Sequence, residues 1–402
     1  MTAELSDENE QSQSSRPSPS GAVEGDEAAL SERLFVAART GDVEALTAAL
    51  KDNPSALGVR EAPYRWTLLH AAAQRGHLEV VRLLLERGLD VNTREDGDHT
   101  YAMHWAAAAG HLDVVRYLAD AGGDVIGRGD DHELEVIGWA TCWDNGNDDG
   151  HGAIAAFLVS RGAEHHVCSL LALGASKALR AMVASSLGAL EHRMSRFESG
   201  QTPLQFAVRM NRLAMVALLL ELGANPFSRD NEGMPCAAYA STIDADRLVL
   251  EAIRHRVATR SPEKTASDSD TSRSDDLLVA AVALGDWKLA ETVMRESPQV
   301  VTRSGVLHLM AKRGDTRGVK WLLDRGVAPN ALWNHWDAMV TPLHMSVMGG
   351  SEDVARALLS GGADVRVCDS KYHGDAIDWA AHFNREELSR VLRDQVANTP
   401  SS

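Results

Sequence analysis

One string recurs along this chain at near-regular spacing, and it narrows the possible folds more than any other property. "TLLHAAAQRGHLEVVRLLLERGLDVN" begins at Thr67, "YAMHWAAAAGHLDVVRYLADAGGDV" at Tyr101, "TPLQFAVRMNRLAMVALLLELGANP" at Thr202 and "TPLHMSVMGGSEDVARALLSGGADV" at Thr341. His70, His104 and Gly138 hold equivalent positions 34 residues apart. A period in this range predicts small helical units that stack side by side, each covering its neighbour's apolar face, in place of a single globular core.

Each recurring letter has a local physical job. Thr202 and Thr341 can cap a helix, the hydroxyl accepting from a backbone N–H that has no partner inside the helix. Pro203 and Pro342 suit the first helical position, where no N–H is needed. Gly76 and Gly110 end the first helix of their units, because glycine enters the left-handed region at little cost. The second helix, read over Leu78 to Glu86, is apolar on most faces, so it must be covered by the units before and after it.

Taken together, these strings resemble ankyrin repeats: T-P-L-H-x-A, then a G-H pair, then V-V-x-L-L and a closing G-A. Thr202-Pro203-Leu204 and Thr341-Pro342-Leu343-His344 match the opening closely. The resemblance covers most of the chain and implies an all-α solenoid of helix-turn-helix units with short hairpin tips, about eleven of them. It also implies roles for the histidines. His70, His104, His308 and His344 fall at the T-P-L-H position, where the ring bonds backbone between units. His77, His111 and His151 fall at the G-H turn.

Residues 1–27 are rich in Ser, Glu, Asp, Pro and Gly and predict a disordered acidic tail with no secretory h-region. An array is expected over 28–255, in two blocks of about 30–165 and 166–255. "VATRSPEKTASDSDTSRSD", 256–274, reads as a flexible linker, with a long surface loop on an unbroken stack as the alternative. A further block follows over 275–396, and 397–402 is a frayed tail. The stretches from Leu34, Ser169 and Leu277 lack the T-P-L-H opening and read as heads of the three blocks.

Composition removes several function classes. No window approaches the length of apolar sequence a membrane span needs. A formal charge of −17 repels phosphate over most approaches, which argues against a nucleic-acid surface. Cys142, Cys168, Cys236 and Cys368 stand far apart with no C-x-x-C pair, as suits buried thiols of a cytoplasmic protein better than disulfides or zinc. No G-x-S-x-G, H-E-x-x-H, G-x-x-x-x-G-K or G-x-G-x-x-G occurs. Asn145, Asn147, Asp149 and Gly150 resemble the start of a calcium loop, but Ala156 stands where a bidentate Glu is required. The reading is therefore no metal and no cofactor.

What remains is a cluster of unusual tips: "EAPYRW" (Glu61–Trp66), "EDGDHTY" (Glu95–Tyr101), "DDHELE" (Asp130–Glu135), "SRFESG" (Ser195–Gly200), "WNHWDA" (Trp333–Ala338) and "KYHGD" (Lys371–Asp375). Aromatic rings beside carboxylates and histidines recur there, and Trp and Tyr dominate binding hot spots. The resulting expectation is a non-enzymatic, monomeric scaffold that binds a protein partner, with acidic neighbours favouring a basic one. Its contact residues would be Tyr64, Trp66, His99, Tyr101, Trp105, His132, Trp333, His335, Trp336, Tyr372 and His373. In the competing reading, the acids only solubilise turns and the rings pack on neighbouring tips. Two further alternatives are a small ligand held by Trp66, His99, Tyr101 and Trp105, and an atypical enzyme. The latter would pair His99, His132, His335 and His373 with Asp98, Asp130, Asp131, Asp337 and Asp375 as acid and base.

Overall fold

The computed structural model describes residues 19–143, 149–195, 198–239, 247–252, 254, 268–335 and 337–398. They form two compact units, Met1–Asp130 with Asp148–Ala163, and Asp131–Asn147 with Glu164–Ser402. Both are built from pairs of antiparallel helices. In the first unit the pairs include Leu68–Gln74 with Leu78–Glu86 and Ala102–Ala108 with Leu112–Asp120. In the second they include Pro203–Arg209 with Leu213–Leu222, Val306–Lys312 with Thr316–Leu323, Pro342–Gly349 with Glu352–Ser360, and Ala376–His382 with Glu386–Asn398. The all-α solenoid class follows directly. Strand content among the described residues is one short hairpin, β1 (Trp333–His335) and β2 (Ala338–Val340). No described helix is long and apolar enough to cross a membrane.

Capping explains where the first helices begin. Thr67 Oγ1 lies 2.7 Å from His70 Nδ1 and also caps the His70 N–H, and Thr341 and His344 repeat the arrangement. The other ring nitrogen faces a carbonyl of the next unit, so it must donate. His70 Nε2 reaches Thr100 O (3.2 Å), His104 reaches Gly127 O (3.1 Å), His344 reaches Gly374 O (3.1 Å), and His308 reaches Ala331 O and Val340 O. A ring that accepts at Nδ1 and donates at Nε2 is neutral, and burial pushes His70, His104 and His308 down to about 4.

The G-H pair has an equally physical basis. Gly76 sits at φ +74, and a Cβ added there would lie 2.6 Å from His111 Nδ1. The missing side chain is therefore a seat for the next unit's ring, whose Nε2 donates to Gln74 O at 3.1 Å. Gly41 seats His77 and Gly110 seats His151 in the same way. In the last block the occupant changes: Gly285 faces Arg317 and Gly350 faces Arg385. Behind these turns the second helices supply a fully buried stripe, such as Val80, Val81 and Leu84, or Val354, Ala355 and Leu358.

Three expectations need correction. The first helix runs from Pro19 to Thr40, so 19–27 is helical where composition predicts disorder. Likewise Asp268–Leu284 begins inside the expected 256–274 linker. In both places a helix nucleated by a packed apolar segment propagates backward, which adds only one bond per residue fixed. Moreover, the two sides of that segment are tied: Arg229 Nη2 donates to Asp276 Oδ1 at 2.7 Å, and Arg254 Nη2 pairs with Asp286 Oδ2 at 2.7 Å. Asp276 is deeply buried, which pushes its carboxyl up to about 7 despite Arg229. Among the cysteines, Cys142, Cys168 and Cys236 are buried free thiols, whereas Cys368 is exposed.

Candidate functional site

The tips are organised from within by inward-turned carboxylates. Glu95, 1% exposed, accepts from the backbone N–H of Gly97, Asp98 and Thr100 and from the Thr100 hydroxyl. Asp369, equally buried, accepts from the N–H of Lys371, Tyr372 and Gly374 and from Trp379 Nε1 at 3.0 Å. Burial raises the Asp369 carboxyl, but these donors outweigh it and hold the group below the usual range. The two networks share one register: the donors lie two, three and five residues on, and a tryptophan (Trp105 or Trp379) lies ten on. His99 and His373 fill the same slot with φ of +53 and +55, a left-handed backbone that the bonded carboxylate holds in place. Asp230 plays a related part, accepting from Glu232 N, Met234 N and the Tyr239 hydroxyl. These acids are internal fasteners, not a charged surface.

A groove of about 550 Å³ opens between the β1–β2 hairpin and the 369–375 tip. Hairpin length explains its wall. In the first unit Glu61 pairs with Trp66, but in β1–β2 Trp333 pairs with Val340, so this tip is two residues longer. The extended hairpin bonds the next tip, with Met339 N donating to Ser370 Oγ (2.8 Å) and Ser370 N to Met339 O (3.1 Å). At the rim Lys371 Nζ donates to Asp337 and lies 4.9 Å from the Tyr372 ring centroid. The lining comprises Met348, Tyr372, Trp379 and Phe383, with His335, His373, His382, Asp337 and Asp378 supplying polar groups.

The structure places the other expected contact residues as follows. Tyr64 is 57% exposed, and its carbonyl accepts from Asp96 N. Trp66 packs on Trp105 with ring centroids 4.6 Å apart, and Trp105 Nε1 donates to Thr100 Oγ1. These two rings fill each other's space, as the competing reading holds. Tyr101 lies beneath Arg94, whose guanidinium is 4.1 Å from the ring centroid, and His99 is exposed. His132 is drawn inward, its Nδ1 2.5 Å from Glu198 Oε1, with Trp139 and Trp143 edge-on against its ring. Trp333 lies over Gly305, where a Cβ would overlap the indole, and faces His308 at 5.6 Å.

Strand alternation turns the His335 ring inward, 3% exposed, onto the groove's floor. Burial, then Lys312 and His308, push it down to about 3, so it is neutral at physiological pH. Tyr372 is 68% exposed and His373 stands beside it on the rim, while Trp336 lies outside the described residues. Of the residues read as acid and base, His132 meets Glu198, Asp337 meets Lys371, and Asp375 caps a helix through Ile377 N and Asp378 N. Of the calcium-like run, residues 144–148 lie outside the described residues.

Sequence reasoning missed an arginine ladder. Arg60 Nη1 donates both to its own tip at Arg65 O and to Arg94 O in the next unit, each at 3.0 Å. Arg94 repeats this toward His99 O and Arg128 O, and Arg193 toward Gly200 O and Arg229 O. The spacing of Arg60, Arg94 and Arg128 at the repeat period was the available signal. His382, Met348 and Phe383 carried none, because helix positions that line a groove look like ordinary repeat positions.

Models of known families match the chain at 34–129 and 307–400 as "Ankyrin repeats (3 copies)" and at 199–231 as "Ankyrin repeat", together more than half its length. The chain is similar to E3 ubiquitin-protein ligase XBAT32 of Arabidopsis thaliana, 43% identical over 77 residues, 18% of this chain and 14% of that relative. It is similar to Rabankyrin-5 of Mus musculus, 29% identical over 233 residues, 56% of this chain and 19% of that protein. It thus spans less than a fifth of each relative's length. The crystal structure of the human ASB11 ankyrin repeat domain is matched with a TM-score of 0.39 and 21% identity, over 57% of this chain and 99% of that one.

Proposed function

Since this chain belongs to the ankyrin-repeat family, we propose that it is a non-enzymatic scaffold whose hairpin tips bind a protein partner, chiefly at the groove beside β1–β2. The carrying observation is the rim of that groove, where Tyr372 is 68% exposed above a floor of Trp379 and Phe383. A large ring held out by a fastened backbone loses little freedom on binding and covers much apolar area when buried. By contrast Trp66 and Trp105 are already packed on each other, so the first block contributes Tyr64, Tyr101 and His99 at most.

The test is selection of displayed random peptides on the full chain. Sequences retained by the wild type and by Tyr64→Ala, but lost on Tyr372→Ala, support the reading. Failure to select any Tyr372-dependent sequence overturns it. A second reading follows from the groove's volume, which falls within the range of small-ligand sites. Metabolite screening against Tyr372→Ala and wild type would separate the two.

A further inference from the structure

We propose that the mouth of this groove holds the basic head of an arginine or lysine on the partner, and that Lys371 is a built-in stand-in which the partner displaces. The inference rests on the protein-binding reading above and specifies the chemistry of its occupant. Its starting point is an ammonium already in place: Lys371 Nζ donates to Asp337 and lies 4.9 Å from the Tyr372 ring centroid. A carboxylate flanked by an aromatic face is a cation site on general grounds, since Coulomb attraction and the ring quadrupole both favour positive charge there.

Both groups also line the groove, so the cation site is continuous with its apolar floor. Asp378 adds a second carboxylate to the lining, while the His335 ring beneath is neutral and offers the cation no repulsion. The stand-in is loosely held. The Lys371 and Asp337 side chains are 40% and 60% exposed, and ion pairs this open to water exchange readily and weaken with salt. An incoming guanidinium has the advantage over Lys371, because its planar fork can meet Asp337 with two bonds while stacking on a ring.

The peptides selected above are the probe, measured by fluorescence anisotropy on the full chain and its variants. Lys371→Met keeps length and removes the competing charge; it should tighten binding about three- to tenfold, whereas Asp337→Asn should weaken it by a similar factor. Selected sequences should carry an Arg or Lys beside an apolar residue, and replacing that Arg by citrulline should erase the gain from Lys371→Met. Peptides that depend on Tyr372 but carry no basic residue, and respond to neither variant, would overturn this inference and leave the scaffold reading standing. If no Tyr372-dependent peptide is selected, both are lost. Because Lys371, Asp337 and Tyr372 are exposed, unchanged helicity in each variant is the check on folding.

Discussion

The tip at 95–105 and the tip at 369–379 share a carboxylate fastener, a left-handed histidine and a tryptophan in one register, yet the first is filled and the second stands beside an open groove. The residue before each preceding helix cap differs. Before Thr67 stands Trp66, which packs on Trp105. Before Thr341 stands Val340, and Trp379 turns instead to His344 and Phe383, at 5.0 and 5.9 Å. The fastening between tips differs too. Arg60 and Arg94 clamp carbonyls in the first unit, but Leu332 and Cys368 hold the equivalent positions, one residue before the tip strand. There the longer hairpin does the joining, through Met339 and Ser370. A solenoid can thus keep its frame and convert a sealed tip into a receptive one by changing a ring, an arginine and a loop length.

The largest test of this contrast removes a fastener. Glu95→Ala leaves several buried donors without an acceptor and should cost about 3–5 kcal/mol, measured by urea unfolding. Asp369→Ala should cost a similar amount and also free the Trp379 indole, so only this variant should lose peptide binding. Next, Trp66→Val should cost about 2–4 kcal/mol and shift Trp105 emission to the red as water reaches it. An unchanged spectrum would mean that the Trp66 ring does not seal the first tip.

pH sharpens the comparison in another way. His70 and His104 in the first unit, and His308 in the second, have folded pKa values near 4, below the 6.5 of the unfolded chain. Protonation then favours unfolding, so stability should fall as pH drops from about 6.5 to 4. Asp276 has the opposite sign. Its pKa rises from 3.8 to about 7 on folding, so its contribution falls as pH rises through that window. Asp276→Asn should therefore steepen the loss of stability of the second unit toward acid, seen in melting temperatures between pH 4 and 7. The smallest effects are expected from Tyr64→Ala and Tyr372→Ala, each within about 0.5 kcal/mol in stability.

The frame was legible in the sequence because its signals are local. A Thr three residues before a His is a cap, and a Gly before a His is a seat, whatever lies further along the chain. The groove was not legible, because it depends on how two successive tips meet. Glu95, which opens "EDGDHTY", and Asp369, two residues before "KYHGD", look like surface charge until they are seen to turn inward. Likewise His335 reads as an exposed tip residue until strand alternation, set by the Trp333–Val340 pairing, carries it to the floor.

The seats of the first block have a consequence for how such a chain can change over generations. His77, His111 and His151 each close onto a main-chain carbonyl, at Arg39, Gln74 and Ala108. A carbonyl is the same group in every residue, so the acceptor's side chain is irrelevant to the joint. Whole modules can therefore be duplicated, deleted or reshuffled with the coupling intact, and the use of Arg317 and Arg385 at the same station shows that the plug itself is exchangeable. The groove has no such freedom. It is written in side chains from two particular neighbours, and a shuffle that separates Asp337 from Tyr372 erases it while leaving the array whole.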